Sequence, residues 1–264
     1  MQLDGKKIVV TGATGGIGSE VCKALAAEGC QLLITGRNPM KLNTLMQSLE
    51  GSGHQQLKAD LSTVEGRATL LNSAQVFQPD VLINGLGANQ LSFLATTHDE
   101  DIEAIIQTNL IAPMKLSRDF IPLLAQRPSG AIVNIGSILG SIGYAGSSVY
   151  CASKFGLRGF TESLRRELAD TQTHVIYFAP RATDTELNSL QIKLMNQALG
   201  NAVDQPEQVA ARLIQVLKQE KANSCYVGRP ESFFVRLNGL FPKLVDKALF
   251  KQLPIIRRYA NQDV

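Results

Sequence analysis

The sequence predicts an α/β fold in which a doubly wound parallel sheet forms a single domain. Short apolar runs alternate with longer helical patterns along almost the whole chain, and repeated strand–helix–strand units are typical of right-handed crossovers in a parallel sheet. A glycine-rich turn joins the first apolar run to the first helical pattern. The 264 residues are 44% hydrophobic and 19% charged, which is sufficient apolar material for one large core.

The predicted strands are short apolar runs bounded by turns, and the predicted helices carry apolar residues on one side. In the first helix Ile17, Val21 and Leu25 share a face, and Gly29 follows as a terminating residue. Pro39 suits the first turn of the second helix. We expect strands at residues 7–10, 31–35, a run ending at 59, 80–83, 131–135, 174–178 and 225–227. We expect helices at residues 17–28, 39–49, 63–76, within 99–124, at 149–169 and in the polar sequence up to about 219.

The composition argues against several classes of protein. A net charge of +3 is too small to indicate a nucleic-acid-binding protein. Four scattered cysteines without a C-x-x-C pair predict reduced thiols, and three distant histidines do not predict a metal site. The chain has no run of about 18 apolar residues, and its polar N-terminus does not fit a signal peptide. We therefore expect a cytoplasmic protein that binds neither metal nor nucleic acid.

The glycine-rich turn reads T-G-A-T-G-G-I-G over residues 11–18 and opens the first helix. Gly12, Gly16 and Gly18 allow a sharp turn and a close approach of the backbone to a ligand. The amides at the helix N-terminus then face a phosphate group. Turns also collect glycine without binding a ligand, but the position between the first strand and the first helix favours a phosphate site.

A second motif combines a tyrosine and a lysine on one helix face. Tyr150 and Lys154 stand four residues apart in the long predicted helix, so their phenol and ammonium groups point into the same space. A free tyrosine has a pKa of about 10, and a neighbouring cation favours its phenolate. The spacing alone also fits an ordinary surface pair. Ser137, however, follows a predicted strand at the end where parallel sheets bind ligands, and Asn109 lies in the preceding helical pattern.

Together these motifs resemble the short-chain dehydrogenase/reductase family over about residues 4–227. The spacing of the glycines fits that family, and Asn109, Ser137, Tyr150 and Lys154 match its four catalytic residues in order and approximate spacing. The resemblance implies a Rossmann fold in which Tyr150 exchanges a proton with a carbonyl oxygen that Ser137 orients. It implies that Lys154 binds the nicotinamide ribose and lowers the pKa of Tyr150. Asn109 is expected to hold a water molecule that links Lys154 to solvent.

The resemblance also implies cofactor contacts at the ends of several strands. Asp60 and Leu61 follow the third strand, where the family holds the adenine, and Asn84 opens the loop after the fourth strand. Three residues depart from the family pattern, which puts the geometry of both loops in question: Gly85 replaces an Asn, Leu86 replaces an Ala and Arg181 replaces a Gly. The cofactor-binding residues expected on this basis are Gly12, Thr14, Gly16, Ile17, Gly18, Asp60, Leu61, Asn84, Gly85, Tyr150, Lys154, Pro180, Thr183 and Thr185.

The end of the second strand bears on the choice between NADP and NAD. An NAD site usually carries a carboxylate there, which binds the ribose 2′-hydroxyl and repels a 2′-phosphate. Gly36 removes that carboxylate, and Arg37 offers a permanently charged donor for a phosphate. A solvated surface arginine is the alternative interpretation of Arg37. Its position leads us to expect NADP (NADPH) as the cofactor, with NAD as the alternative.

The segment after the sixth strand, up to about residue 199, is expected to cover the substrate as a lid. It contains a set of apolar side chains, which are Leu187, Leu190, Ile192, Leu194 and Met195. These side chains either line a hydrophobic pocket or pack a helix on the domain, and the sequence leaves both interpretations open.

Residues 1–228 are expected to form the dehydrogenase domain, and residues 229–264 a basic amphipathic extension. From Arg229 to Arg258 seven basic residues stand against two acidic ones, a net charge of +5. In a helix predicted over residues 243–253, three lysines lie on one side and apolar residues on the other. Four phenylalanines add apolar surface. Such a segment either binds peripherally to the inner face of a membrane, or packs on the domain or on a second subunit.

The sequence thus predicts an NADP-dependent oxidoreductase that reduces the carbonyl of a lipophilic ketone or 3-oxoacyl substrate. One alternative is an NAD-dependent alcohol dehydrogenase with the same catalytic residues. A second is a dinucleotide-binding sensor without turnover, which the departures at Gly85 and Arg181 raise and the intact set of four catalytic residues argues against. A third is a membrane adaptor built around the extension, which leaves the catalytic residues unexplained. The resemblance implies a homodimer or homotetramer.

Overall fold

The computed structural model describes residues 1–219 and 223–260, so the last four residues of the predicted extension lie outside it. Within this part of the chain, seven parallel strands form one sheet in the order β3-β2-β1-β4-β5-β6-β7. The strands are β1 Lys7–Thr11, β2 Gln31–Gly36, β3 Gln55–Lys58, β4 Val81–Asn84, β5 Gly130–Ile135, β6 Thr173–Ala179 and β7 Ser224–Tyr226. This order, which reverses direction between β1 and β4, is the doubly wound Rossmann arrangement, and it confirms the predicted fold class.

Helices cover both faces of the sheet and bury it. On one face α1 and α8 pack together over the apolar side chains of the strands, with α2 beside them. On the other face α3, α5 and α6 enclose a second apolar core. The central strands are therefore buried on both sides, which explains their continuous apolar sequences. The helices are α1 Gly16–Ala27, α2 Pro39–Gln47, α3 Val64–Phe77, α4 Asp99–Ile106, α5 Ala112–Leu124, α6 Ser148–Glu167, α7 Leu190–Leu199, α8 Pro206–Lys218, α9 Glu231–Leu240, α10 Pro242–Phe250 and α11 Leu253–Ala260.

A single π-helical turn, Gln107–Ile111, joins α4 to α5. Its wider coil holds Asn109, which is completely buried. Such turns inside an α-helix are rare and often occur at functional sites. The helical pattern predicted within residues 99–124 is confirmed, but its interruption by this turn is not visible from apolar spacing.

The C-terminal extension contains three helices instead of the one predicted over residues 243–253. The prediction of one helix there is wrong: α10 ends at Phe250 and α11 begins at Leu253. Pro254 explains the break, because proline lacks a backbone N–H and fits only the first turn of a helix. Lys251 is therefore the C-cap of α10 and not part of a three-turn lysine stripe.

Candidate active site

A cleft of about 710 Å³ runs along the carboxyl ends of the parallel strands. It crosses the sheet where the strand order reverses, which is the usual position of a ligand in such folds. Most of the residues predicted for the site line this cleft: Gly12, Thr14, Gly16, Ile17, Gly18, Arg37, Asp60, Leu61, Gly85, Ser137, Tyr150, Lys154, Pro180, Thr183 and Thr185. Two predicted residues, Asn84 and Asn109, are buried beside the cleft and do not line it.

The turn after β1 is shaped to receive a phosphate group. Gly12 has a φ of +65°, and a Cβ atom there would lie 2.4 Å from the carbonyl oxygen of Gly85. A Cβ atom at Gly18 would lie 2.2 Å from the carbonyl oxygen of Gly12. The N-cap of α1 is Gly15, which has no side chain to bond the first amides, and no acidic residue stands in the first turn. The positive end of α1 is thus open to an anion in the cleft.

The loop after β4 is tied to the turn after β1. The amide of Gly85 donates to Thr11 Oγ1 at 3.1 Å, and Thr11 Oγ1 donates to the carbonyl of Ile83 at 3.2 Å. A Cβ atom at Gly85 would lie 2.6 Å from the carbonyl oxygen of Thr11. Gly85 departs from the family pattern, and the absence of a side chain there permits close packing of the two loops.

Three of the four residues predicted to be catalytic, Ser137, Tyr150 and Lys154, lie together in the cleft. Ser137 follows β5, and its hydroxyl accepts from the amide of Leu139 at 3.1 Å, which caps a short 3₁₀ turn. Tyr150 lies in the first turn of α6, and Lys154 lies one turn later. The Lys154 Nζ atom donates to the carbonyl of Ile135 at 3.0 Å and lies 5.8 Å from the centre of the Tyr150 ring. The long α6 thus holds the phenol and the ammonium at one wall of the cleft.

Burial determines the protonation of this pair. It raises the pKa of Tyr150 to about 12, while a hydrogen bond with Ser137 acts in the opposite direction. Burial also lowers the pKa of Lys154 to about 8. Desolvation is the largest effect on the pKa of Tyr150, and the lowering expected from Lys154 stays a prediction. At neutral pH Tyr150 is therefore a neutral phenol, which is the form that donates a proton.

Asn109 connects the loop after β4 to α6. Its Oδ1 atom accepts from the amide of Ala88 at 2.8 Å, and its Nδ2 atom donates to the Ala88 carbonyl at 2.9 Å and to Ser153 Oγ at 3.0 Å. Ser153 precedes Lys154 in α6, so Asn109 fixes the loop and the helix together. The water molecule that it is expected to hold stays a prediction.

Asn84 supports the cleft from inside the domain. Its Nδ2 atom donates to Asn134 Oδ1 at 2.8 Å and to Ser117 Oγ at 3.2 Å. Asn134 in turn donates to Thr161 Oγ1 at 2.9 Å. These buried bonds join β4, β5, α5 and α6 below the cleft. The cofactor contact expected at Asn84 stays a prediction.

Comparison with known proteins places the chain in a family. A family model described as "short chain dehydrogenase" matches residues 6–193. The chain belongs to the short-chain dehydrogenase/reductase family. Members of this family are oxidoreductases that bind nicotinamide dinucleotides, so the predicted enzyme class is confirmed at that level.

Several similar proteins carry names that describe carbonyl reduction. The ketoacyl reductase HetN of Nostoc sp. is 30% identical over 83% of this chain and 77% of its own length. Carbonyl reductase family member 4 of Danio rerio is 34% identical over 69% of this chain and 77% of its own length. The 3-oxoacyl-[acyl-carrier-protein] reductase FabG of Escherichia coli is 31% identical over 71% of this chain and 77% of its own length. A solved structure described as a short chain dehydrogenase/reductase family protein matches with a TM-score of 0.75 and 26% identity, covering 86% of this chain and 97% of that one.

In this short-chain dehydrogenase/reductase Arg181 replaces the glycine of the family pattern and forms ion pairs with two acidic residues. Its Nη2 atom contacts Asp204 Oδ1 at 2.6 Å, and its Nη1 atom contacts Glu231 Oε2 at 3.1 Å. Asp204 ends the lid segment through a bridge to Thr183, and Glu231 begins α9. Arg181 does not have a positive φ, since Gln78 is the one non-glycine residue with a positive φ among the described residues. The arginine thus joins the lid and the extension at the edge of the cleft.

Some of the apolar residues of the lid segment line the cleft and others do not. Leu187, Ile192 and Met195 line the cleft. Leu190 and Leu194 do not line it and are exposed. Leu187, which precedes α7, and Ile192 and Met195 within α7 therefore form an apolar wall, while Leu190 and Leu194 face outwards.

The extension packs on the dehydrogenase domain beside the cleft. Val235 and Val245 are buried in an apolar cluster with Ile138 and Ile142, which follow Ser137 in the chain. Asn238 donates to the carbonyl of Ser141 at 2.9 Å. Packing on the domain is therefore confirmed for one face of the extension. Among the described residues, no helix is long and apolar enough to cross a bilayer.

Sequence reasoning missed a tyrosine that supports Ser137 from below. The Tyr177 hydroxyl donates to the carbonyl of Ser137 at 3.1 Å and accepts from its amide at 3.3 Å. Gly136 and Gly140 lie so close that a Cβ atom at either would stand 2.2 Å from Tyr177. Strand periodicity identifies Tyr177 only as a core residue, because its contacts depend on how β6 pairs with β5.

The Tyr177→Phe variant tests this support. We expect kcat to fall about 10-fold at unchanged KM for the cofactor, because the variant leaves the buried Ser137 amide unpaired, which costs about 1–3 kcal/mol, while the Ser137 carbonyl keeps its bond from the Gly140 amide. Steady-state kinetics measure the effect on the positioning of Ser137, and a thermal melt measures the effect on the stability of the fold. Tyr226→Phe is the matched control, since its hydroxyl contacts Ser141 Oγ instead. A kcat within twofold of wild type in Tyr177→Phe contradicts the positioning role.

Proposed function

We propose that the protein is an NADP-dependent reductase acting on the carbonyl of a lipophilic ketone or 3-oxoacyl compound. The observation that carries this proposal is the meeting of Ser137, Tyr150 and Lys154 at one wall of the cleft, with the phenol buried and neutral at neutral pH. A neutral phenol supplies the proton that carbonyl reduction requires. The names of the three similar reductases support the same reaction class.

Each catalytic side chain has a definite task in this proposal. Tyr150 donates its proton to the substrate carbonyl oxygen, while the Ser137 hydroxyl hydrogen-bonds and orients that oxygen. Lys154 holds the nicotinamide ribose and, as a cation, stabilises the phenolate that proton donation leaves. Asn109 keeps α6 and the loop after β4 in place and provides a position for the water that resupplies the proton. When bound, NADPH supplies the hydride to the carbonyl carbon.

We assign the dinucleotide to the cleft, with its parts at the ends of successive strands. The glycine turn after β1 and the open N-terminus of α1 suit the pyrophosphate. We assign the adenine to the end of β3, at Asp60 and Leu61. The carboxylate of Asp60 is oriented by Ser62, whose hydroxyl and amide donate to it at 2.6 and 3.0 Å. The remaining cofactor contacts are assigned to Thr14, Gly16, Ile17, Asn84, Gly85, Pro180, Thr183 and Thr185.

Arg37 supports NADP as the cofactor. The guanidinium is exposed at the edge of the cleft, and none of the ion pairs among residues 1–219 and 223–260 involves it. A Cβ atom at Gly36 would lie 3.0 Å from the Thr14 side chain, so a carboxylate does not fit there without displacement. The end of β2 therefore offers a cation to a ribose 2′-phosphate, and Gly36 supplies no carboxylate there; the nearby acid is Asp60, which interacts electrostatically with Arg37.

Arg37→Gln tests the cofactor assignment. We expect the KM for NADPH to rise about 10- to 100-fold, because the variant loses a charge-assisted bond of about 1.5–3 kcal/mol, with the KM for NADH nearly unchanged. Lys41→Gln is the matched control, since Lys41 also lines the cleft but is paired with Glu186 at 2.6 Å. Equal effects of Arg37→Gln on both cofactors, or a wild-type preference for NADH, would contradict the assignment and favour an NAD-dependent alcohol dehydrogenase.

A chain-length series tests the substrate class. Leu187, Ile192 and Met195 give the cleft an apolar wall, so we expect kcat/KM to rise with the length of a 3-oxoacyl thioester. The assay follows NADPH oxidation by the purified protein over short and long thioesters and simple ketones. A flat profile contradicts a lipophilic site, and the absence of turnover throughout favours the sensor. We further propose a homodimer or homotetramer, which sedimentation measures directly.

A further inference from the structure

The extension carries a dense group of exposed apolar side chains. Phe233 is 63% exposed, Leu240 74% and Phe250 68%. Three more large apolar residues between them are also exposed, namely Phe234, Phe241 and Leu244. Exposed apolar residues that occur singly need no explanation, but a group of six within 18 residues of chain indicates an interaction surface. We define the α9–α10 surface as the outward side of residues 231–251.

The geometry of the two helices shows that this exposure is systematic. The inward side of each helix is already used, because Val235 and Val245 are buried in the cluster against the domain. In α9, Phe233 and Leu240 are seven residues apart and share the side opposite Val235. The domain thus anchors the helix pair and leaves its opposite side without cover among the described residues.

The same surface is basic: residues 231–251 carry four basic and two acidic residues, a net charge of +2, and Arg229, Arg257 and Arg258 flank them. Arg236, Lys243, Lys247 and Lys251 are all exposed, and none of them belongs to an ion pair among the described residues. In α10 the exposed Leu244 stands beside these lysines. Residues 229–258 carry a net charge of +5, whereas the whole chain carries +3. The positive charge of the protein is therefore concentrated here.

We infer that the α9–α10 surface docks on an anionic lipid bilayer. Exposed phenylalanine and leucine side chains enter the boundary between headgroups and acyl chains, and lysine and arginine bind the lipid phosphates around them. A second copy of this chain fits the surface less well. In a symmetric dimer through this surface the patch meets itself, which brings the four exposed basic residues of each copy together with one exposed acidic residue, Asp246, to offset them.

The docking surface begins at the cleft itself. Glu231, the first residue of α9, lines the cleft and is bound to Arg181. Docking therefore places one edge of the cleft at the lipid surface. That consequence rests on the proposed function, since it gives a lipophilic carbonyl compound a direct route from the bilayer to Tyr150. The docking itself is independent of turnover.

Vesicle co-sedimentation of the full chain tests the inference. Vesicles of phosphatidylcholine alone are compared with vesicles that also contain phosphatidylglycerol, at low salt and at about 0.5 M NaCl, where charges are screened over a few ångströms. One variant combines Phe233→Ser, Leu240→Ser and Phe250→Ser, and a second combines Lys243→Gln and Lys247→Gln. The control for the apolar variant combines Met40→Ser and Val76→Ser, at apolar residues exposed outside the α9–α10 surface. The control for the lysine variant combines Lys58→Gln and Arg166→Gln, at exposed basic residues outside that surface.

We expect the wild-type protein to bind the anionic vesicles only. The double lysine variant should bind them about 30-fold more weakly, because each charge contributes about 1 kcal/mol. The apolar variant should bind them at least about 10-fold more weakly. The control variants should bind as wild type does. Equal binding by all proteins, or no binding to either vesicle, overturns the inference. So does a dimer that the apolar variant dissociates while vesicle binding stays unchanged. Turnover of a water-soluble ketone, measured in parallel without vesicles, shows separately whether the proposed reductase function fails.

Discussion

Replacing Tyr150 with phenylalanine is expected to lower carbonyl reduction by about 10³- to 10⁴-fold, because the variant has no proton to give to the carbonyl oxygen. The affinity for NADPH should stay nearly unchanged, since the ring continues to fill the same buried position in α6. Single-turnover kinetics and a fluorescence titration with NADPH measure the two quantities separately.

Tyr259→Phe provides the matched control, because Tyr259 lies in α11 and does not line the cleft. It should reduce the substrate as wild type does. Activity of the Tyr150→Phe variant within tenfold of wild type would show that another group or a water molecule donates the proton, and the assignment of Tyr150 would be wrong.

Lys154→Met is expected to remove activity and to stabilise the fold at the same time. Turnover should fall about 10²- to 10³-fold, because the cation near the phenol is lost. The free energy of unfolding at pH 7 should rise by about 1–3 kcal/mol. Burial of the ammonium costs about 3 kcal/mol, given a pKa of about 8 in the fold and about 10.4 in the unfolded chain, and the lost bond to the Ile135 carbonyl offsets part of the gain.

The pH dependence of that stability difference gives a further check. The folded-state pKa of Lys154 lies below its unfolded value, so between pH 8 and about 10.4 the unfolded chain binds more protons than the folded one. The free energy of unfolding of the wild-type protein therefore rises with pH through that window. The amount by which Lys154→Met is more stable than wild type should shrink between pH 7 and pH 10. Urea denaturation at both pH values measures it, with Lys58→Met as an exposed control. An unchanged or growing difference contradicts a buried, desolvated ammonium.

The parts of the fold and the site that depend on local sequence could be predicted. Strand and helix positions follow from apolar periodicity, and the sheet class follows from their alternation. Tyr150 and Lys154 share a face because α-helical geometry fixes residues four apart. The glycine turn was predicted from its position between β1 and α1, and its tight contact with Gly85 agrees with that prediction.

Contacts between distant parts of the chain could not be predicted. Arg181 was noted only as a departure from a family glycine, because its partners Asp204 and Glu231 lie 23 and 50 residues away. Tyr177 reaches Ser137 only through the pairing of β6 with β5. The pKa of Tyr150 was expected to fall because of Lys154, but the extent of burial, which raises it, is a property of the folded packing.

Transfer of isotope from the cofactor to the product tests the central claim most directly. NADPH carrying deuterium on the reactive face of C4 is incubated with the protein and the best compound of the chain-length series, and the product is analysed by mass spectrometry. The account predicts one deuterium on the carbinol carbon with the wild-type protein and no product above background with Tyr150→Phe. No deuterated alcohol from any compound, or the same yield from both proteins, would contradict it.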